Sequence, residues 1–141
     1  MTLRIATICV IALSAGSLQA MEYPDMTGSW QGEVRTVSSG EQVRSQVASG
    51  GAVIDTVNLT FTVSHQDGEA FIGESMSDAP GAEPVPVWGA IRSTGQEAVF
   101  VTGNGGRGQL WFTSRAQFEF CFANQTPEAM SAYCAVLVKA D

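Results

Sequence analysis

The feature that most constrains this chain is a strict two-residue alternation of apolar and polar side chains, seen most clearly over Val53–Val63. Alternation of this period places successive side chains on opposite faces of an extended strand, and it predicts a strand with one buried face. The predicted inward residues of the segment are Val57, Leu59, Phe61 and Val63.

Similar short segments recur along the chain and predict an all-β fold of eight strands. Only Thr126–Ala132 has the chemistry of a helix start, with Pro127 and Glu128 behind a threonine cap, and it is long enough for one or two turns. The predicted strands are Gly28–Val37, Val53–Val63, Glu69–Ser75, Val85–Ser93, Gln96–Thr102, Gln109–Thr113, Gln117–Ala123 and Ala132–Lys139.

The connections between these strands alternate between long and tight. In an up-and-down meander, alternate connections lie at the same end, so the long loops would share one rim. Eight strands most easily bury their edges by closing into an antiparallel barrel, and a version flattened to a sandwich is the alternative. The tight turns are His65–Gly68, Thr94-Gly95 and Ser114-Arg115, and the long loops are Ser38–Ala52, Met76–Pro84, Gly103–Gly108 and Asn124–Ser131.

Hairpin registers provide a test of this topology. Pairing across Thr94-Gly95 places Gly89 opposite Phe100, and pairing across Ser114-Arg115 places Trp111 opposite Phe118. Two cysteines, Cys121 and Cys134, follow the first twenty residues, which are described below as an export signal. Paired cysteines in an exported protein usually form a disulfide, so these two are expected to face each other and bond. The three registers agree on one inner face, which consists of Gly89, Ile91, Phe100, Trp111, Phe118, Phe120, Phe122, Tyr133 and Leu137.

The opposite, outward face carries too many large apolar side chains for the wall of a monomer. We therefore expect a homo-oligomer, or a cover made by the chain before Gly28 and the first long loop. The outward apolar residues that carry this expectation are Trp88, Val99, Val101, Leu110 and Phe112.

The first twenty residues are typical of a secretory signal peptide. Arg4 supplies the positive charge, residues 5–15 form an apolar run, and Leu18-Gln19-Ala20 is a cleavage site. The run is too short to span a bilayer as a helix, and no other segment approaches a membrane span. We expect cleavage after Ala20, a secreted or periplasmic protein, and one barrel domain over residues 21–141.

Composition and motif context argue against several functions. The chain has 14 acidic and 7 basic residues, a net charge of −7, which disfavours nucleic acid as a partner. Its single histidine, His65, rules out sites that need two imidazoles, and no metal site or cofactor is expected. The run Gly103–Gly108 fits the G-x-G-x-x-G pattern, but a strand follows it where dinucleotide binding needs a helix. Asp78 and Glu83 share a loop and are the candidates for a paired-carboxylate mechanism, although solvated loop carboxylates are the simpler interpretation.

The sequence therefore favours a non-enzymatic binding module that uses the long-loop rim and the barrel mouth. Its ligand would be a small amphipathic molecule, or a protein clasped by the loops as inhibitors do. The alternative is a structural or assembly protein of the envelope or extracellular space with a filled barrel. The candidate ligand-binding residues are Arg44, Asn104, Arg107 and Asn124 on the rim, with Trp111 beneath them.

The start of the first strand resembles a known motif. Met26-Thr27-Gly28-Ser29-Trp30 resembles the opening Gly-x-Trp of the calycins, the group of lipocalin, fatty-acid-binding and avidin barrels. This resemblance implies an eight-stranded barrel with Trp30 inside near its closed end. Avidins place Asn and Ser soon after this Trp to hold biotin, whereas Gln31, Gly32 and Glu33 follow here, so no biotin site is carried over.

Overall fold

The computed structural model describes residues 22–40, 52–127 and 129–140, and in these ranges the chain is all-β. Eight antiparallel strands form one closed barrel in which each strand pairs with the next and β1 pairs with β8. The fold class predicted from the alternation is confirmed, and no helix long and apolar enough to cross a membrane occurs in the described ranges. The strands are β1 (Gly28–Gly40), β2 (Ala52–Asp67), β3 (Ala70–Ser77), β4 (Val85–Ile91), β5 (Glu97–Thr102), β6 (Arg107–Ser114), β7 (Gln117–Gln125) and β8 (Ala129–Lys139).

Two of the three predicted hairpin registers are confirmed. Gly89 lies opposite Phe100 in the β4–β5 pair, where Arg92 and Glu97 form an ion pair of 2.7 Å across the turn. In the β7–β8 pair, Cys121 lies opposite Cys134 and the two are joined by a disulfide. The disulfide lies on the outward parity of the barrel wall, because the neighbouring Phe120 and Phe122 face inward.

The third register, between β6 and β7, is wrong by one residue. Phe112 pairs with Phe118 and Ser114 with Gln117, so that Thr113 is an extra residue in a bulge and the turn residues are Arg115 and Ala116. A bulge of one residue reverses the facing of the strand beyond it.

This reversal corrects three placements on the predicted faces. Leu110, expected outside, is completely buried, and Phe112 packs edge-on against Phe118 inside the barrel. Trp111, expected inside, lies on the outward parity between Glu97 and Glu119 of the flanking strands.

The expected helical turn over Thr126–Ala132 is also wrong, because β8 already begins at Ala129. Thr126 instead closes the β7–β8 connection. Its backbone N–H donates to the carbonyl of Ala129 at 2.8 Å, and its Oγ1 accepts from the N–H of Ala129 at 3.1 Å. These two hydrogen bonds use the threonine cap chemistry in a tight connection between strands.

Aromatic rings fill the middle of the barrel. Phe118 is completely buried and lies 4.9 Å from Trp30 and 6.0 Å from Phe61, measured between ring centroids. Phe100 continues the packed layer toward the long-loop rim, stacked on Phe122 at 6.1 Å. The barrel therefore has a solid core at the level of these rings.

The segment before β1 lies at the tight-turn end of the barrel. The indole N–H of Trp30 donates to the carbonyl of Met26 at 2.8 Å, and Met26 is completely buried. Gln66, in the β2–β3 turn region, accepts from the Met26 N–H and donates to the Pro24 carbonyl. These contacts place residues 22–27 at the closed end, so this segment is not the cover expected for the outward face. The predicted signal peptide lies outside the described residues.

Candidate functional site

A cavity of about 550 Å³ lies at the long-loop rim, the end of the barrel at which the sequence places the site. It is bounded by the last residues of β1, the first of β2, the β5–β6 loop with the first residue of β6, the end of β7 and the start of β8. Its described lining residues are Val37, Ser38, Ser39, Ala52, Gly105, Arg107, Ala123, Asn124, Gln125, Met130, Ser131 and Ala132.

Strand register arranges most of this lining in two rows across the sheet. An outward row runs from Arg107 through Ala123 and Ala132 to Val37. The neighbouring inward row is Asn124, Ser131 and Ser38. Small side chains occupy the middle of both rows, which leaves room for a ligand that extends over the rim from the inside to the outside of the barrel.

Asn124 carries the one buried side-chain polar atom that lacks a hydrogen-bond partner among the described residues. Its Oδ1 lies beneath the β5–β6 loop, 4.0 Å from the position that a Cβ on Gly105 would take. Gly105 has a φ of 88°, so a residue with a side chain would be strained there. Leaving a buried amide oxygen without a donor costs about 1–3 kcal/mol, and a ligand that supplies an N–H or O–H recovers this free energy.

The hydroxyl of Thr102, the last residue of β5, does not donate to this oxygen. Thr102, which is buried, donates from Oγ1 to Oδ1 of Asn104 at 2.6 Å. Asn104 therefore braces the loop from within, and it is not among the described lining residues. The loop also fits tightly on the core, because a Cβ on Gly106 would lie 2.1 Å from the Phe122 ring.

Aromatic side chains form the layer below the cavity. Phe122 and Tyr133 pair across β7 and β8, one inward row closer to the core than Asn124 and Ser131. Their ring centroids are 5.2 Å apart, and Tyr133 also contacts Phe120 edge-on. The polar row of Asn124 and Ser131 lines the cavity, and the two rings lie in the next row toward the core without being among the described lining residues.

Tyr133 makes this aromatic layer sensitive to alkali. Burial raises its pKa from 10.0 to about 12, because the phenolate would lose its hydration. Folding therefore favours the neutral phenol. Below pH 10 the free energy of unfolding keeps its full value, and it falls as the pH rises from 10 toward 12, because the unfolded chain loses the phenol proton before the folded chain does.

We expect the Tyr133→Phe variant to lose less stability than the native chain between pH 10 and pH 12, by roughly 2–3 kcal/mol at the upper end. Denaturant titrations at a series of pH values measure this difference. Tyrosinate absorbance adds a second check, since the variant should lack a titration step near pH 12 that the native chain shows. Parallel loss of stability in both proteins would show that Tyr133 is not shielded from water.

The five predicted site residues fall in different places. Arg107 and Asn124 line the cavity, Asn104 braces the adjacent loop, and Trp111 lies on the outward wall. Arg44 lies outside the described residues. The prediction missed the serines of the inward row, Ser38 and Ser131, because single serines in a strand carry no signal until the register is known.

Asp78, one member of the candidate carboxylate pair, has a structural role. The two carboxylate oxygens of Asp78 accept from the backbone N–H and the side-chain amide of Asn58, at 2.9 and 2.8 Å. These hydrogen bonds lower the pKa of Asp78, so its carboxylate stays ionised and fastens the β3–β4 loop to β2.

Comparison with known proteins reveals similarity in fold. A scan against protein-family models gives no match, and a search of curated proteins gives none. Among solved structures, EF1p2_mFAP2b bound to DFHBI is 10% identical, covers 81% of this chain and 93% of its own, and superposes with a TM-score of 0.50. The S-type phycobiliprotein lyase CPES from Guillardia theta is 12% identical, covers 82% and 89%, and also gives 0.50. The resemblance suggested by Gly28-Ser29-Trp30 is thus confirmed for the fold, which is a calycin-like barrel with Trp30 buried.

Proposed function

We propose that this protein is a non-enzymatic binding module that holds a small amphipathic ligand in the rim cavity. The observation that carries the proposal is the unpartnered, buried Oδ1 of Asn124 in the wall of a 550 Å³ cavity. A cavity of this size falls in the range of small-molecule sites, which combine apolar walls with a few placed polar groups. The arrangement binds and orients a molecule, and it needs no reacting group from the protein.

The filled core fixes the depth at which a ligand can lie. Because Phe100, Phe118 and Phe122 occupy the barrel interior, the ligand has space at the rim and not along the barrel axis. The neighbours in fold lend support, since EF1p2_mFAP2b was solved with the small molecule DFHBI bound. A protein clasped by the loops is the other partner that the sequence suggested, and the concave cavity favours the small molecule.

The proposal is tested by native mass spectrometry of the protein purified from its own host. We expect a bound small molecule whose occupancy falls in Ser131→Trp, because an indole at this position would fill the inward row. The matched control is His65→Trp, an exposed position at the closed end, which should retain the ligand. A native protein that carries no small molecule in any preparation would contradict the proposed function.

We further propose that the protein is exported, since the apolar segment and Leu18-Gln19-Ala20 have the form of a signal peptide. The paired cysteines agree with an oxidising compartment. Amino-terminal sequencing of the protein from its host tests this proposal. A mature chain that begins at Met21 is the expected result, and an intact Met1 would overturn it.

Assembly is a second candidate function. The observation that favours it is an apolar strip on the outer wall, although this strip is smaller than the sequence indicated. Trp88 lies between Ile72 of β3 and Val101 of β5, and each of the three is about half exposed. Val99 extends the strip, whereas Leu110 is buried and Phe112 is partly buried against the core, so neither contributes. A stable dimer buries about 800 Å² on each partner, more than four side chains provide, so we propose weak pairing between two copies through this strip.

We expect Val101→Lys to lower the sedimentation mass of the protein at tens of micromolar while the β-sheet spectrum stays unchanged, because the charge would need to be desolvated between two copies. Thr60→Lys, on the outward parity of β2 and away from the strip, is the matched control. Phe112→Lys should instead unfold the protein, since Phe112 packs on Phe118. A native chain that sediments as a monomer throughout would remove the assembly proposal.

A further inference from the structure

The described residues that line the rim cavity carry a charge opposite to that of the whole protein. The chain has twice as many acidic as basic residues, yet Arg107 is the only charged residue among the described residues that line the cavity. Both ion pairs of the described part of the chain lie elsewhere and join other residues, Arg92 with Glu97 and Lys139 with Asp25. The guanidinium of Arg107 is therefore available to a ligand.

The two polar anchors of the cavity lie on different faces of the barrel wall. Arg107 begins the outward row and pairs with Ala123, while Asn124 is the next residue of β7 and begins the inward row. A hydrogen-bond acceptor thus lies inside the rim, and a cation lies on the outer side of the same rim. The side chains that line the cavity between them are small, mainly alanines and serines.

We infer that the ligand of the proposed binding function is an apolar molecule with a hydrogen-bond donor at one end and an anionic group at the other. The donor end enters the barrel above Phe122 and Tyr133 and satisfies Asn124 Oδ1. The anionic end stays at the outer rim against Arg107, where a guanidinium can offer two parallel N–H donors to a carboxylate. The apolar side chains among the described lining residues, such as Val37, Ala123 and Met130, account for the preference for an apolar body.

A matched set of two-ring probes tests each end of the ligand separately. 6-Hydroxy-2-naphthoate carries both groups, 6-methoxy-2-naphthoate lacks the donor, and 2-naphthol lacks the anion. We expect the first to bind about tenfold more tightly than each of the other two in isothermal titration calorimetry, because each probe that lacks one group loses one polar contact.

Variants assign each preference to its residue. Asn124→Leu should remove the difference between the hydroxy and methoxy probes and leave the preference for the carboxylate in place. Arg107→Gln should remove the preference for the carboxylate and leave that for the hydroxyl. Arg115→Gln, at the exposed turn of the closed end, is the matched control and should bind all three probes as the native chain does.

The outcomes separate this inference from the function on which it rests. If the three probes bind equally, or if Arg107→Gln and Asn124→Leu leave their differences unchanged, the inference is wrong while rim binding stands. If none of the probes binds, the inference is also overturned, and native mass spectrometry then decides whether any ligand occupies the cavity. A bound host molecule without an anionic group would contradict the assignment of Arg107.

Discussion

Phe118→Ala is expected to destabilise the protein by about 3–5 kcal/mol, which is a large share of the 5–15 kcal/mol that holds an ordinary domain together. Phe118 is completely buried and lies where the rings of Trp30, Phe61, Phe112 and Phe120 meet. Truncation removes the transfer free energy of one ring and leaves a cavity that the closed barrel cannot collapse to fill, since every wall strand is hydrogen-bonded on both sides. Denaturant unfolding measures the loss.

The matched control is Trp88→Ala, which removes a larger ring from the outer wall. Trp88 is 48% exposed, so we expect a loss of about 1 kcal/mol or less. A similar cost for both variants would mean that the outer wall is covered in solution, as weak pairing of two copies requires at high concentration. Repeating the measurement at several protein concentrations distinguishes the two cases, because only an association effect depends on concentration.

The sequence predicts the β7–β8 register well because two independent constraints coincide there. The disulfide requires Cys121 and Cys134 to be neighbours, and the resulting pairing also places Phe118 opposite Leu137. Alternation on one strand alone would have allowed a slip by two residues without changing the faces. A covalent link removes this freedom, so the prediction rests on chemistry as well as on pattern.

The β6 strand was placed wrongly because apolar residues are consecutive there, and alternation does not choose between Leu110, Trp111 and Phe112. The bulge at Thr113 decides the parity, and a bulge leaves no distinctive residue in this hairpin. One signal could have found the register. Gly108 lies between Phe100 and Phe122, and a Cβ there would be 2.3 Å from the Phe100 ring. Inward glycines beside rings thus identify the inner face where apolar alternation is absent.

A similar limit applies to the site. Loop lengths alone identify the end of the barrel at which this cavity lies, because alternate connections of a meander must share a rim. The residues that line the cavity depend on strand register. Arg107 and Asn124 line it, Trp111 lies on the outward wall, and Ser131, which the prediction did not include, also lines it. The buried, unpartnered state of Asn124 Oδ1 cannot be inferred from sequence at all, since it depends on how the Gly105 loop covers it.

Removing the disulfide is expected to produce the second large effect. Cys121 and Cys134 are 13 residues apart, and opening a loop of this length costs about 3 kcal/mol in the chain-entropy account. In Cys121→Ser with Cys134→Ser, the β7–β8 ladder still folds, because Phe120 opposite Ala135 and Phe118 opposite Leu137 keep their inward packing. The loss should therefore appear in the unfolding free energy and leave the β-sheet spectrum unchanged.

The native chain treated with a reductant is the control for the double variant, and both should unfold at the same denaturant concentration. Loss of the link also loosens the hairpin that carries Asn124 and Ser131, three residues beyond each cysteine toward the rim. The double variant should therefore bind the rim probes more weakly than the control variant Arg115→Gln does. The reason is that part of the binding free energy is spent on ordering the β7–β8 end. If the double variant is as stable as the oxidised native chain, the barrel fixes this hairpin without the disulfide. The stability of the hairpin would then come from the ring layer around Phe118.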